Sequence, residues 1–146
     1  MSTLNIRLAL ARGTFALDID VALPGRGVTG LSGPSGSGKT SLLRALSGLE
    51  RAQGRIDING IRWLDSAAGL DLPVHRRRVG YVFQDAALFA HLDVRGNLDY
   101  GLRRTPAARR RTALDQVVDW LGLAPLLARR VAQLSGGEAQ RVAMGR

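Results

Sequence analysis

The sequence contains no cysteine. That excludes disulfides and thiolate-held metals, and it fits a protein kept in the cytosol. No apolar run approaches the ~18 residues that a membrane-spanning helix needs. The N-terminus, MSTLNIRLAL, lacks the basic start, pure apolar stretch and small-residue cleavage site of a secretory signal, so no leader is expected. Aromatic residues make up only 5% of the chain. None interleaves with the basic runs, as a surface for single-stranded nucleic acid would require. Lysine is almost absent: Lys39 stands alone against twenty arginines.

What is present is ordinary in bulk. The chain has 146 residues and is 45% hydrophobic, which suits one domain or a large part of one. A compact domain of that size buries about 70% of the surface of its unfolded chain. The net charge is +9. It is carried by the clusters Arg76-Arg77-Arg78, Arg103-Arg104, Arg109-Arg110-Arg111 and Arg129-Arg130, which read as solvated surface.

Periodicity divides the chain. Leu4, Ile6, Leu8 and Leu10 alternate with polar or small residues, and Phe15, Leu17, Ile19, Val21 and Leu23 do so again. Both runs predict half-buried strands, the second ended by Pro24-Gly25. A short strand is expected at 27–31. From Lys39 the period becomes helical, through Leu42, Leu43 and Leu46, with Gly48 as the stop. Ile56 and Ile58 face Ile61 and Trp63 across Asn59-Gly60, which predicts a hairpin with a tight primed turn. Residues 66–75, with Pro73, read as a loop, and 79–83 as a further strand ending at Gln84. Beyond that the pattern turns helical. A helix start is expected after Pro106, and Leu114, Val117, Val118 and Leu121 form an apolar stripe closed by Gly122.

The stretch Gly33-Pro34-Ser35-Gly36-Ser37-Gly38-Lys39-Thr40 fits G-x-x-x-x-G-K-[ST], with a strand expected before it and a helix after. Glycines let the backbone curl until several N–H groups point at one anion. The helix that starts there adds the positive end of its dipole. Lys39 brings a compact point charge for the β- and γ-phosphates, and the Thr40 hydroxyl is a ligand for Mg²⁺. A bland glycine-rich turn is the competing reading. It leaves unexplained why the single lysine falls on the one position where the motif requires it.

Two further stretches narrow the reading. VGYVFQD, with Gln84 directly after a strand-like run, resembles the Q-loop of ABC-type ATPases. LSGGEAQR at 134–141 resembles the signature of the same family. Cradle, Gln84 and signature follow one another in the family's order, and the resemblance covers the whole chain. Within the family, RRVGYVFQDAALFAHLDVRGNLDYG (77–101) and LSGGEAQRVAMGR are similar to the ATPase subunits of molybdate importers.

The resemblance implies an α/β fold: a P-loop ATPase core at 1–84, a helical subdomain at 85–133, and the signature with the start of its helix at 134–146. It implies that Gly33, Pro34, Ser35, Gly36, Ser37, Gly38, Lys39, Thr40 and Ser41 hold ATP and Mg²⁺. Gln84 would reach the metal and the attacking water. Ser135, Gly136, Gly137 and Glu138 would close over the ATP of a second copy, since such subunits pair head to tail. Integral permease subunits and, indirectly, a substrate-binding protein are the other expected partners. The expected place is the cytoplasmic face of the cell membrane, and no nucleic-acid partner is expected.

One departure is large. The family places a strand ending in Asp-Glu after the signature, and later a His near the γ-phosphate. No carboxylate follows Glu138 here, and His75 and His91 both precede the signature. The chain is therefore expected to stop before that strand and to be inactive alone. Two alternatives stay open: a soluble ABC-type ATPase acting on nucleic acid or the ribosome, which the +9 charge favours, and a non-catalytic nucleotide-binding piece. The stretch between Lys39 and Leu134 is too short for the long coiled-coil insertion of repair-type members.

Overall fold

The computed structural model describes residues 3–110 and 112–146. Met1, Ser2 and Arg111 lie outside the described residues, and with them the start of the N-terminal stretch and the last arginine of the 109–111 cluster. The chain forms two compact units, one running up to Gly80 and one spanning Tyr81–Arg146.

The first unit is an antiparallel sheet with one helix. Strands β1 (Thr3–Arg12) and β2 (Phe15–Pro24) form a long hairpin, with Ile6 opposite Val21 and Leu8 opposite Ile19. Helix α1 (Lys39–Ser47) follows, then β3 (Gln53–Ile58), β4 (Ile61–Asp65) and β5 (Leu70–Asp71), in the sheet order β2-β1-β3-β4-β5. The β3–β4 turn forms as its sequence demands: Asn59 and Gly60 take φ of 52° and 80°, the two positive values of a primed turn. The inward side chains of β1, Ile6, Leu8 and Leu10, join Ile56, Trp63 and Leu64 and the α1 residues Leu42 and Ala45 in one buried core. Each such aliphatic side chain contributes about 1.5–3 kcal/mol on burial. The core thus fixes α1, and with it the loop from which α1 emerges. The helix stops where expected, with Gly48 at φ 82° and the Leu49 N–H donating to the Arg44 carbonyl.

The second unit is helical. Helices α2 (Val94–Arg104), α3 (Leu114–Trp120) and α4 (Gly136–Gly145) surround a core of Val94, Leu98, Val118, Leu123, Leu126 and Val142. Helices α2 and α4 approach so closely that a Cβ on Gly101 would lie 2.0 Å from the Arg146 carbonyl oxygen. Asn97, fully buried on the apolar side of α2, accepts from the Phe89 N–H at 2.8 Å and donates to the Phe89 and Asp93 carbonyls. It fastens the segment before α2 to that helix.

Several expectations are corrected. Residues 27–31 and 79–83 join no ladder among the described residues. Val28 is 101% exposed, and Leu31, Val79, Val82 and Phe83 are also exposed. A strand is a property of a pair. Apolar, β-branched runs of this kind suit the middle of a parallel sheet, and no neighbouring described strand supplies their bonds. The expected loop at 66–75 contains β5 and the start of a 3-10 turn, Val74–Arg76. The helix start after Pro106 is only a 3-10 turn, Ala107–Arg109. The two compact units divide between Gly80 and Tyr81.

Candidate functional site

The cradle is built on the first unit. Gly33, Gly36 and Gly38 have φ of 152°, 80° and 89°, so the chain between them curls as only glycine permits at low cost. Gly38 is also the N-cap of α1, and its carbonyl accepts the first helical bond, from Leu42 N–H at 2.8 Å. A Cβ at Gly38 would come within 2.5 Å of Phe15 Cζ. Phe15 of β2 therefore packs on the core and against the floor of the loop. The Lys39 ammonium donates to the Gly33 carbonyl at 2.9 Å, the Pro34 carbonyl at 2.7 Å and Ser37 Oγ at 3.4 Å. It thus lies across the curl made by its own loop. Gly33 to Ser37 and Thr40 are exposed, and Ser41 is half-buried. Gly36 has open space where a Cβ would stand. An ammonium, a hydroxyl and the bare N–H groups of a helix start form a donor set that suits a polyphosphate with its divalent ion.

Gln84 and the signature belong to the second unit, and there they meet through a residue the motif analysis passed over. Gln140 Nε2 donates to the Phe83 carbonyl at 3.1 Å and to the Gln84 carbonyl. Arg146 Nη1 donates to the Ala87 carbonyl at 2.7 Å, and its guanidinium lies 5.0 Å from the Phe89 ring centroid. Between these two anchors the chain turns sharply: Ala86 and Ala87 have φ of 56° and 49°.

Ser135 caps α4. Its Oγ accepts from the Glu138 N–H at 3.3 Å, while the Glu138 carboxylate accepts from the Ser135 N–H at 2.7 Å. This reciprocal pair satisfies two donors at the helix start. The Ser135 backbone N–H, helped by its hydroxyl and by the positive charges of Arg129 and Arg141, holds the Glu138 carboxyl below the usual carboxylate range. Gly136 and Gly137 are exposed, with open space beside each.

Arg77 overturns part of the surface reading of the arginine clusters. Its side chain is 2% exposed. It donates to the Leu46 carbonyl at 2.7 Å and the Ala45 carbonyl at 3.2 Å at the end of α1, to the Leu72 carbonyl at 2.8 Å, and to Asp71 Oδ1 at 2.8 Å. The positive charge sits at the negative end of the helix dipole. Nothing in a run of three arginines marks the middle one as buried. Asn97 had a signal: it occupies an apolar helical stripe between Val94 and Leu98.

Comparison with known proteins agrees with these motifs. The sequence model described as ABC transporter matches residues 17–146. The "Molybdenum import ATP-binding protein ModC" of Aromatoleum aromaticum is 57% identical over 144 residues, covering 98% of this chain and 38% of the relative. ModC 1 of Azotobacter vinelandii is 58% identical over 133 residues, covering 90% of this chain and 37% of the relative. The chain thus spans well under half the length of these relatives. Among solved structures, cbiO1 from Clostridium perfringens, described as part of an ABC transporter complex, superposes with a TM-score of 0.70 at 23% identity, over 98% of this chain and 59% of its own. That likeness bears on the fold alone. Among the described residues no helix is long and apolar enough to cross a membrane. With a family match from residue 17 to residue 146, the chain belongs to the ABC transporter family.

Proposed function

We propose that this chain is the nucleotide-binding part of an ATPase subunit that energises import of molybdate or a related oxyanion. The observation that carries the reading is the cradle: a glycine curl at the start of α1, with the single lysine of the chain bonded across it. Identities above 50% to ModC proteins support the choice of cargo.

In this reading Gly33 to Ser37 wrap the phosphates and Gly38 lets α1 start beneath them. Lys39 exchanges its carbonyl partners for phosphate oxygens. Thr40 supplies a hydroxyl to the metal, and Ser41 stands next to it for the α-phosphate. Mg²⁺, when bound, offsets the phosphate charge. Gln84 answers to the metal and orients water. Ser135, Gly136, Gly137 and Glu138 serve the nucleotide of a second copy, in a dimer held at the cytoplasmic face of permease subunits that receive cargo from a binding protein. Phosphoryl transfer depends on positioning and charge stabilisation. These 146 residues hold no carboxylate after Glu138 to orient water. They are expected to bind Mg-ATP without steady turnover.

The cargo is tested in cells. Disrupting the gene that carries this sequence should abolish uptake of labelled molybdate and spare sulfate uptake. Uptake should return with the intact gene and stay absent with Lys39→Ala. Undiminished molybdate uptake in the disrupted strain would remove molybdate from the proposal.

A further inference from the structure

The turn after Gln84 is under constraint. Ala86 and Ala87 are consecutive, non-glycine and both left-handed, a conformation that L side chains adopt at a cost and that persists only where the surroundings impose it. The local bonds are short-range: the Ala86 N–H donates to the Phe83 carbonyl at 3.1 Å and the Ala87 N–H to the Asp85 carbonyl at 2.5 Å. The remaining described anchors come from one place. Gln140 holds the carbonyls at 83 and 84 from one side of the turn, and Arg146 holds the carbonyl at 87 from the other. Both belong to the α4 segment, whose first residues are the signature. Helix α4 is itself seated in the core by Val142, which is fully buried.

We infer that Gln140 and Arg146 are positioning residues that clamp the strained 84–87 turn to the signature helix, so that a change at Gln84 is delivered to residues 135–138 of the same chain. The inference rests on the proposed role of Gln84. A single polar side chain that bridges two successive carbonyls is a stiff link, because both acceptors must shift together for it to break. The strain supplies the second state: once the clamp is released, the two alanines have no reason to stay left-handed.

The test is hydrogen exchange of the full 146-residue chain, read at peptides covering 83–89 and 134–140, with and without the non-hydrolysable analogue Mg-AMP-PNP. In the unaltered chain the analogue should slow exchange at both peptides. In Gln140→Met, which keeps length but removes the donor, basal exchange at Ala86 and Ala87 should rise about tenfold. The response at 134–140 should disappear, while the response at 83–89 and the affinity for the analogue remain. Gln140→Lys, a donor of similar reach, should restore the response at 134–140, which filling of space alone would not explain. Gln84→Ala, read at analogue concentrations that saturate it, should silence both peptides. If Gln84→Ala behaves as the unaltered chain, the Gln84 reading fails. If Gln84→Ala is silent but Gln140→Met keeps a full response at 134–140, the clamp alone is refuted. No response at 134–140 in the unaltered chain overturns the clamp as well.

Discussion

Individual side chains in this protein do work that their sequence neighbours do not announce. Arg77 is the clearest case. Three arginines in a row read as solvated charge, yet the middle one ties the end of α1 to the β5 segment through four hydrogen bonds. Replacing it by methionine keeps the stem and orphans buried carbonyls. Charged-group hydrogen bonds contribute about 1.5–3 kcal/mol each, and an orphaned group adds its desolvation cost. Arg77→Met is expected to destabilise the first unit by about 3 kcal/mol in denaturant melts, whereas Arg76→Met and Arg78→Met, both at exposed positions, should change it by less than about 0.5 kcal/mol. Equal effects at the three positions would contradict the buried clamp.

Glu138 makes a second prediction at this scale. Its folded-state pKa is depressed, chiefly by the Ser135 backbone N–H. A depressed carboxyl stabilises the fold above its unfolded pKa, about 4.3, and that contribution is lost as pH falls through the lower folded value. Glu138→Gln should therefore melt below the parent at pH 6–7, with the gap closing below the ordinary carboxylate range. A gap that stays constant with pH would mean that the carboxylate charge is not what caps α4.

Among elements, legibility followed whether the partner was local. The β1–β2 and β3–β4 hairpins pair neighbours in sequence, so alternation and an Asn-Gly turn were enough. Helix α1 was legible because its start and stop are both set by glycines within the helix's own turn. The runs at 27–31 and 79–83 have the composition of strands, but their pairing depends on partners distant in sequence, and no local pattern reveals whether those are present. The glycine curl before α1 was legible in its backbone, since the turn and the helix start sit in one contiguous loop. Gln140 and Arg146 were not, because reaching back across more than fifty residues leaves no periodic trace. The helical unit makes its own prediction. Leu98, 1% exposed, lies where α2 meets α4, and Leu98→Ala should cost about 2–5 kcal/mol. Gly101→Val should be at least as damaging, because a side chain there meets the Arg146 carbonyl. A Gly101→Val protein that melts with the parent would contradict the close approach of these helices.

Across the whole molecule, the first unit holds the glycine loop with Lys39, and the second holds the Gln84 turn and the 134–141 stretch. The family match embraces both, and the relatives extend well beyond the matched region. On this reading the described chain grips a nucleotide and presents a capped glycine pair to a partner, while turnover needs groups that these residues do not include. Phosphate release from Mg-ATP by the 146-residue chain should therefore match that of its Lys39→Ala variant. Steady turnover confined to the unaltered chain would mean that the residues present suffice for hydrolysis.

The most direct measurement is a titration of a fluorescent ATP analogue, with Mg²⁺, into the 146-residue chain and into Lys39→Ala. Loss of even one charge-assisted bond from the ammonium, at about 1.5–3 kcal/mol, corresponds to a Kd raised roughly tenfold or more. That rise, with unchanged thermal melting of the free protein, is the expected result. Equal affinities for the two proteins would contradict the cradle and everything built on it.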